Sequence, residues 1–285
     1  MSEGTNQAQK ELWNTFAGER WTRRQVDIDT MLSEFTKALM QASGLEESVA
    51  QKVLDVGCGS GETSLLMADL GHKVTGVDIS APLLALAQKR AGQRAGVDFK
   101  EADASDVEFD SQFDLLISRF GVMFFDEPQA AFTHMVRFIK PGGKAVFVCW
   151  RSPVENEWVT MPMQVLVSVT EPPAPPPPDA PGPFAFANPE RTTAILEAAG
   201  LTDVRLTPVD ATMPMGSGKG AIKTADFIME VGPAALTIAQ LPPEAVAMVR
   251  EKMETAIEPR LNDGHLSLRG AIWVVEARKP QPNEN

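Results

Sequence analysis

Nine consecutive residues, Val53-Leu54-Asp55-Val56-Gly57-Cys58-Gly59-Ser60-Gly61, constrain this chain more than any others. A short apolar run of strand type ends directly on glycines spaced GxGxG, and a helical stretch opens at Glu62. A strand that stops on glycines brings backbone amides close to a ligand with no Cβ in the way, and the next helix opens with unpaired N–H donors. Such a junction is a cofactor-binding turn in a parallel α/β sheet. It departs from the dinucleotide fingerprint GxGxxG, because Glu62 stands where the third small residue belongs. It departs from the phosphate loop as well, since Glu62 and Thr63 replace the Lys-Ser/Thr pair and set a carboxylate where a polyphosphate would sit. Asp55, inside the strand, adds negative charge that favours a cationic ligand group.

Spacing downstream narrows the choice. Lys73 to Asp78 reads as a second strand ending in a carboxylate, followed by Ser80 as a helix cap and Pro82 in the first helical turn. Asp78 is so placed that it accepts from both hydroxyls of a ribose. A third strand, Val97 to Ala102, delivers Asp103-Ala104, where an acid takes a hydrogen bond from an adenine amino group. A fourth, Phe113 to Ser118, ends at Arg119-Phe120 beside the same crevice. Strands alternating with helices predict a doubly wound α/β fold with a parallel sheet.

In the order and spacing of these motifs, residues Val53 to Trp150 resemble the class I S-adenosylmethionine-dependent methyltransferases. The resemblance pairs Val53 to Gly61 with that family's first motif, Val74 to Asp78 with its ribose acid, Ala102 to Ala104 with its adenine contact, and Pro141-Gly142-Gly143 with the turn before its fifth strand. Trp13 to Trp21, Phe120 to Phe125 and Pro181 to Phe184 are similar to features of bacterial small-molecule methyltransferases related to the ubiquinone and menaquinone biosynthesis enzymes. The resemblance implies a Rossmann-like sheet of seven strands, mostly parallel with an antiparallel last strand, helices on both faces and an N-terminal helical lid. It implies S-adenosyl-L-methionine as cofactor and S-adenosyl-L-homocysteine as product. The implied cofactor residues are Trp13, Trp21, Asp55, Gly57, Cys58, Gly59, Asp78, Ile79, Asp103, Ala104, Ser118 and Arg119. Arg119 is expected to hold either the cofactor's carboxylate or a neighbouring acid. The acceptor pocket is expected above the fourth and fifth strands, at Phe120, Met123, Phe124, Trp150, Arg151, Asn156 and Trp158. The implied reaction is in-line methyl transfer to a small, hydrophobic metabolite. A nicotinamide-dependent oxidoreductase and a non-catalytic protein that keeps the cofactor stand as alternatives.

At 285 residues the chain is expected to be a single methyltransferase domain, with an arm over 1–50, a cofactor core over 51–150, a proline-rich segment and helix over 151–200, and further strands and helices over 201–285. A net charge of −12 with no basic cluster excludes a nucleic-acid groove and leaves a small-molecule substrate as partner, with the protein a monomer or homodimer. The two cysteines, Cys58 and Cys149, form neither a disulfide framework nor a zinc pattern, and no stretch has membrane-spanning length, which together predict a cytoplasmic protein without a metal.

Ile28, Met31, Leu32, Phe35 and Leu39 recur at helical spacing, and Leu12, Trp13, Phe16 and Trp21 before them are either hydrophobic anchors for the arm or, as the resemblance implies, an aromatic lid over the cofactor. A ring face there would steady a sulfonium by about 0.5–2 kcal/mol. No base stands out. His134 is expected on the solvated face of its helix, His72 at the far end of the sheet, and His265 in the Asn262-Asp263-Gly264 turn; Glu155 and Glu157 are the nearest acids in sequence to the acceptor region. Pro175 to Pro178 predicts an extended polyproline connector, and Gly216-Ser217-Gly218-Lys219-Gly220 a flexible loop that lacks the phosphate-loop Ser/Thr. Later elements are expected at Glu190 to Ala199 and Ala221 to Met253 as helices and at Leu201 to Val209 and Ala271 to Ala277 as strands.

Overall fold

The run Val53 to Val56 is buried on both faces, and in a parallel sheet that demands a strand on either side. In a computed structural model, which describes residues 6–45, 49–171, 174, 177 and 179–282, both neighbours are present: Val53 pairs with Val74 on one side and Leu115 on the other. The described strands are β1 (Lys52–Val56), β2 (Lys73–Asp78), β3 (Val97–Glu101), β4 (Phe113–Arg119), β5 (Ile139–Trp150), β6 (Thr202–Pro214) and β7 (Ser267–Arg278). They form one seven-stranded sheet in the order β3-β2-β1-β4-β5-β7-β6, in which β7 runs antiparallel to both β5 and β6.

Among the described residues, three helices precede β1: α1 (Gln7–Asn14), α2 (Phe16–Arg23) and α3 (Gln25–Ser43). The crossovers carry α4 (Glu62–Asp69), α5 (Ala81–Ala91) and α6 (Pro128–Val136). Between β5 and β6 lie α7 (Glu157–Val167) and α8 (Pro189–Ala198), and between β6 and β7 lie α9 (Ala221–Glu230), α10 (Ala234–Ala239) and α11 (Pro243–Ile257). Strand order steps one way from β1 to β3 and the other way from β4. The reversal opens a crevice at the strand C-termini between β1 and β4, where open α/β sheets bind ligands. α3 buries the predicted apolar stripe, Ile28, Met31, Leu32, Phe35 and Leu39, and packs against β4, β5, β6 and β7.

Strand limits differ from the sequence reading by more than a residue or two in three places. β6 runs on to Pro214 and β7 starts at Ser267, because the two pair residue for residue to that point, Pro214 opposite Ser267. Most of β6 is exposed or half-buried, so its added length carries no apolar signal. Pro141-Gly142-Gly143, read as a turn, is taken into β5 at a register shift opposite Phe113 and Leu115.

His134 is half-buried, unlike the solvated residue expected; its Nε2 lies 2.8 Å from Val107 O and its ring lies against Phe138. His72 is buried before β2, with Nδ1 accepting from Gln51 N and Nε2 beside Leu45 O. The glycine loop after β6 is pinned: Ser217 N and Oγ donate to Asp27, and Gly220 N donates to Gly264 O. Residues 172, 173, 175, 176 and 178 lie outside the described residues, and the polyproline reading of that run with them.

Candidate active site

Three left-handed glycines shape the turn after β1, and Gly57 (φ +66°) is the most constrained of them. Its Cα faces the loop after β4 so closely that a Cβ would stand 2.6 Å from Gly121 Cα. Ser118 locks this contact from the β4 side, its Oγ donating to Val56 O at 2.7 Å and accepting from Gly121 N at 3.0 Å. Next to it Phe120 adopts φ +63°, a conformation costing a bulky side chain about 1–3 kcal/mol. It is held by Phe120 N donating to Val148 O and by ring stacking on Trp150 at 4.3 Å and 9°.

Asp78 stands at the end of β2 facing this turn. Its Oδ2 accepts from Gly59 N and its Oδ1 from Ser80 N, both at 2.8 Å. Burial pushes its carboxyl up to about 6 in spite of those backbone donors. Ser80 caps α5 as expected and also donates to Trp13 O at 2.6 Å. Asp103 and Ile79 are half-buried, and Ala104 is buried. A Cβ on Gly59 would meet open space, so the crevice has room for a ligand against the turn.

Asp55 lies fully buried beneath the turn, its Oδ2 accepting from Thr63 Oγ1 and Ser64 Oγ at 2.6 Å while Oδ1 has no protein partner. Burial raises its pKa, against the pull of those hydroxyls and of Arg119. A buried carboxylate oxygen without a partner is costly, and a ligand ammonium would satisfy it. Cys58 fills the space beside Gly76, and burial followed by the nearby charges of Asp78 and Asp55 drives its thiol well up, so it stays neutral. Arg119 takes the neighbouring-acid role of the two expected: it pairs with Glu62, donates to Thr36 Oγ1 at 2.7 Å, and lies 3.9 Å from Asp29. Burial raises Glu62, with Arg119 opposing and Asp29 adding to the shift.

Of the acceptor residues expected above β4 and β5, Phe120, Met123, Trp150 and Trp158 are all buried. Phe35 meets Phe120 and Trp150 edge on, and Trp158 tilts against Trp150, giving a continuous aromatic wall. Phe124 instead joins the arm, its ring edge-on to Trp13, which is in turn edge-on to Trp21. Asn156 is buried and engaged, accepting from Ala271 N at 2.8 Å and Trp158 Nε1 at 3.0 Å while donating to Ala271 O. Arg151 pairs with Glu155 and Asp210, and Glu157 pairs with Arg260, so both acids nearest in sequence to the acceptor region are engaged by arginines.

The sequence reading missed the residues that fasten the arm to the crevice. Asn6 contacts Asp103 and Asp126, and Asn14 brackets the loop after β2 by donating to Ile79 O and accepting from Ala81 N. Asn14 sits at the last residue of a helix and Asn6 just before its first, where polar residues are ordinary and carry no periodic signal.

Residues 54–147 match the family model described as a methyltransferase domain. An uncharacterized protein of Mycobacterium tuberculosis is 40% identical over 114 residues, which is 39% of this chain and 41% of that protein. Demethylmenaquinone methyltransferase of Paenarthrobacter aurescens is 30% identical over 169 residues, 56% of this chain and 66% of the relative. The chain thus spans from about two fifths to just under two thirds of the length of these relatives. Among solved structures, Haemonchus contortus phosphoethanolamine N-methyltransferase 2 in complex with S-adenosyl-L-methionine shares the fold at TM-score 0.58 and 17% identity, over 95% of this chain and 60% of that one. Magnesium protoporphyrin IX methyltransferase of Synechocystis shares it at TM-score 0.54 and 13% identity, over 96% of each chain.

Proposed function

Given that the chain belongs, through residues 54–147, to the class I S-adenosylmethionine-dependent methyltransferases, we propose that it transfers a methyl group to a small apolar metabolite. One observation carries the proposal. The open glycine turn lies between Asp78 and the unpartnered oxygen of Asp55 buried beneath it, which would serve as acceptors for the two polar ends of the donor. S-adenosylmethionine, when bound, supplies a methyl group on a positively charged sulfur that leaves readily as a neutral thioether. Asp78 would hold the ribose hydroxyls, and Asp55 would lie nearest the ammonium group. Trp13, Trp21 and Phe124 would cover the nucleoside side and exclude water, while the wall of Phe35, Phe120, Trp150 and Trp158 would bound the acceptor. Holding reactants aligned supplies several kcal/mol of the barrier reduction in such a displacement.

The test is direct. Calorimetry is expected to show one S-adenosylhomocysteine site per chain, and labelled donor is expected to pass its methyl to an organic-extractable product. A chain that binds neither donor nor product would refute the proposal.

A pH dependence follows from Asp78. A carboxyl with its pKa near 6 is ionised at pH 7.5 and largely protonated at pH 5, and only the ionised form offers all its lone pairs to the ribose. Affinity for S-adenosylhomocysteine is therefore expected to fall by up to about tenfold per pH unit below 6, in titrations followed by tryptophan fluorescence. Folding stability moves oppositely. The folded chain keeps this proton to a higher pH than the unfolded chain, so Asp78's contribution is complete below about pH 4 and is lost as pH rises through about 6.

A further inference from the structure

α1 crosses the crevice as a strap, and its fastening at Asn6 does more than hold it down. Asn6 is 3% exposed and adopts φ +61°, a left-handed conformation that asparagine tolerates better than most residues. Its Nδ2 donates to Asp103 Oδ2 at 2.7 Å and to Ser105 Oγ at 3.2 Å. Its Oδ1 accepts from Asp126 N at 2.7 Å, and its own N–H donates to Asp126 Oδ2. The amide is gripped at both ends and cannot swing.

Asp103 is held with equal economy. Its Oδ1 accepts from Ser105 N at 2.8 Å and from Ser105 Oγ at 2.7 Å. A carboxylate offers about four lone-pair sites. Two on Oδ1 go to Ser105 and one on Oδ2 to Asn6, which leaves a single acceptor position on Oδ2, fixed in direction because every other contact fixes the carboxylate. One turn along the strap, Gln9 carries a buried amide oxygen without a protein partner.

We propose that Asn6 is a positioning residue that aims the one open lone pair of Asp103 at the exocyclic amino group of the donor's purine, so that the site selects a 6-amino over a 6-oxo purine nucleoside. This rests on the methyl-donor reading of the crevice. A 6-amino purine brings an N–H to the open acceptor. A 6-oxo purine brings an oxygen, and two acceptors then face each other with no hydrogen between them. With Asn6 gone, Asp103 can turn away from the base and the distinction weakens.

The experiment compares the affinities of S-adenosylhomocysteine and S-inosylhomocysteine by calorimetry, in the full chain and in Asn6→Ala and Asn14→Ala. The parent chain is expected to favour the adenosyl compound by about 30-fold, as for loss of one buried hydrogen bond with an acceptor left unpaired. Asn6→Ala is expected to reduce that preference to about threefold or less. Asn14→Ala loosens the other end of the strap without touching Asp103, and it is expected to weaken both ligands together and keep the ratio. An unchanged ratio in Asn6→Ala overturns the proposal whatever happens to the individual affinities, as does an equal collapse of the ratio in Asn14→Ala. If Asn6→Ala binds neither compound while its circular dichroism and unfolding temperature match the parent, Asn6 serves the whole site and the selectivity role is overturned. A parent chain that binds neither compound removes the donor reading first.

Discussion

Asp78→Ala is expected to lower S-adenosylhomocysteine affinity by about 100-fold or more, the largest effect of any side-chain truncation in the crevice. Two hydrogen bonds from ribose hydroxyls to an ionised acceptor account for this, at about 1.5–3 kcal/mol each. The carboxylate also organises the protein: without it Gly59 N and Ser80 N lose their acceptor, the first at the glycine turn and the second at the start of α5. Asp78→Asn separates the two roles. It keeps an amide oxygen for one backbone donor but cannot serve two N–H groups and two hydroxyls, so affinity is expected to fall nearly as far while unfolding temperature falls less. Calorimetry and thermal unfolding on the same samples read both. Full affinity in Asp78→Ala would contradict the assignment of this acid to the ribose.

Gly57→Ala is expected to be the most damaging substitution in the turn. A side chain at φ +66° costs about 1–2 kcal/mol in backbone strain. The added Cβ, 2.6 Å from Gly121 Cα, must also push backbone away from backbone, with no flexible side chain to give. Overpacking of this kind costs about 1–3 kcal/mol. At about 2–4 °C per kcal/mol for a chain of this size, unfolding temperature is expected to drop by roughly 5–15 °C. Ligand binding should be lost as well, because the turn and the loop after β4 would separate. Gly59→Ala is the comparison: it bears similar backbone strain, but its Cβ meets open space. Its thermal loss is therefore expected to be smaller, with the damage concentrated in binding. Equal thermal losses in the two variants would show that the Gly57–Gly121 approach matters less than the backbone angle.

The features legible in the sequence were those with a short local cause. The GxGxG turn, the acid ending β2 and the cap at Ser80 each follow from neighbouring residues, and the structure draws them together at the sheet reversal. The stripe from Ile28 to Leu39 declared its helix by period alone. What escaped depended on distant pairing. β6 extends to Pro214 only because β7 offers a partner that far, and His134 is half-buried because Val107 O lies within reach of its ring. Asn156 looked like a polar handle for an acceptor, yet its amide is consumed by Ala271, more than a hundred residues away in sequence. Arg119 and Arg151 were expected beside the cofactor and the acceptor, and each meets acids from separate elements. Polar side chains near a crevice reveal their chemistry, while their partners are set by topology.

The place of β7 between β5 and β6 has a consequence for how the molecule comes to be assembled. Strands β1 to β5, with the glycine turn, Asp78 and Asp103, can pair among themselves as the nascent chain emerges, since each finds its neighbour within residues 52–150. β6 has no such neighbour; it joins the sheet only when residues 267–278 arrive to bridge it to β5. Until then the outer edge of β5 stays open. The crevice between β1 and β4 is thus free to form early in synthesis, and the docking of β6 must await the last strand.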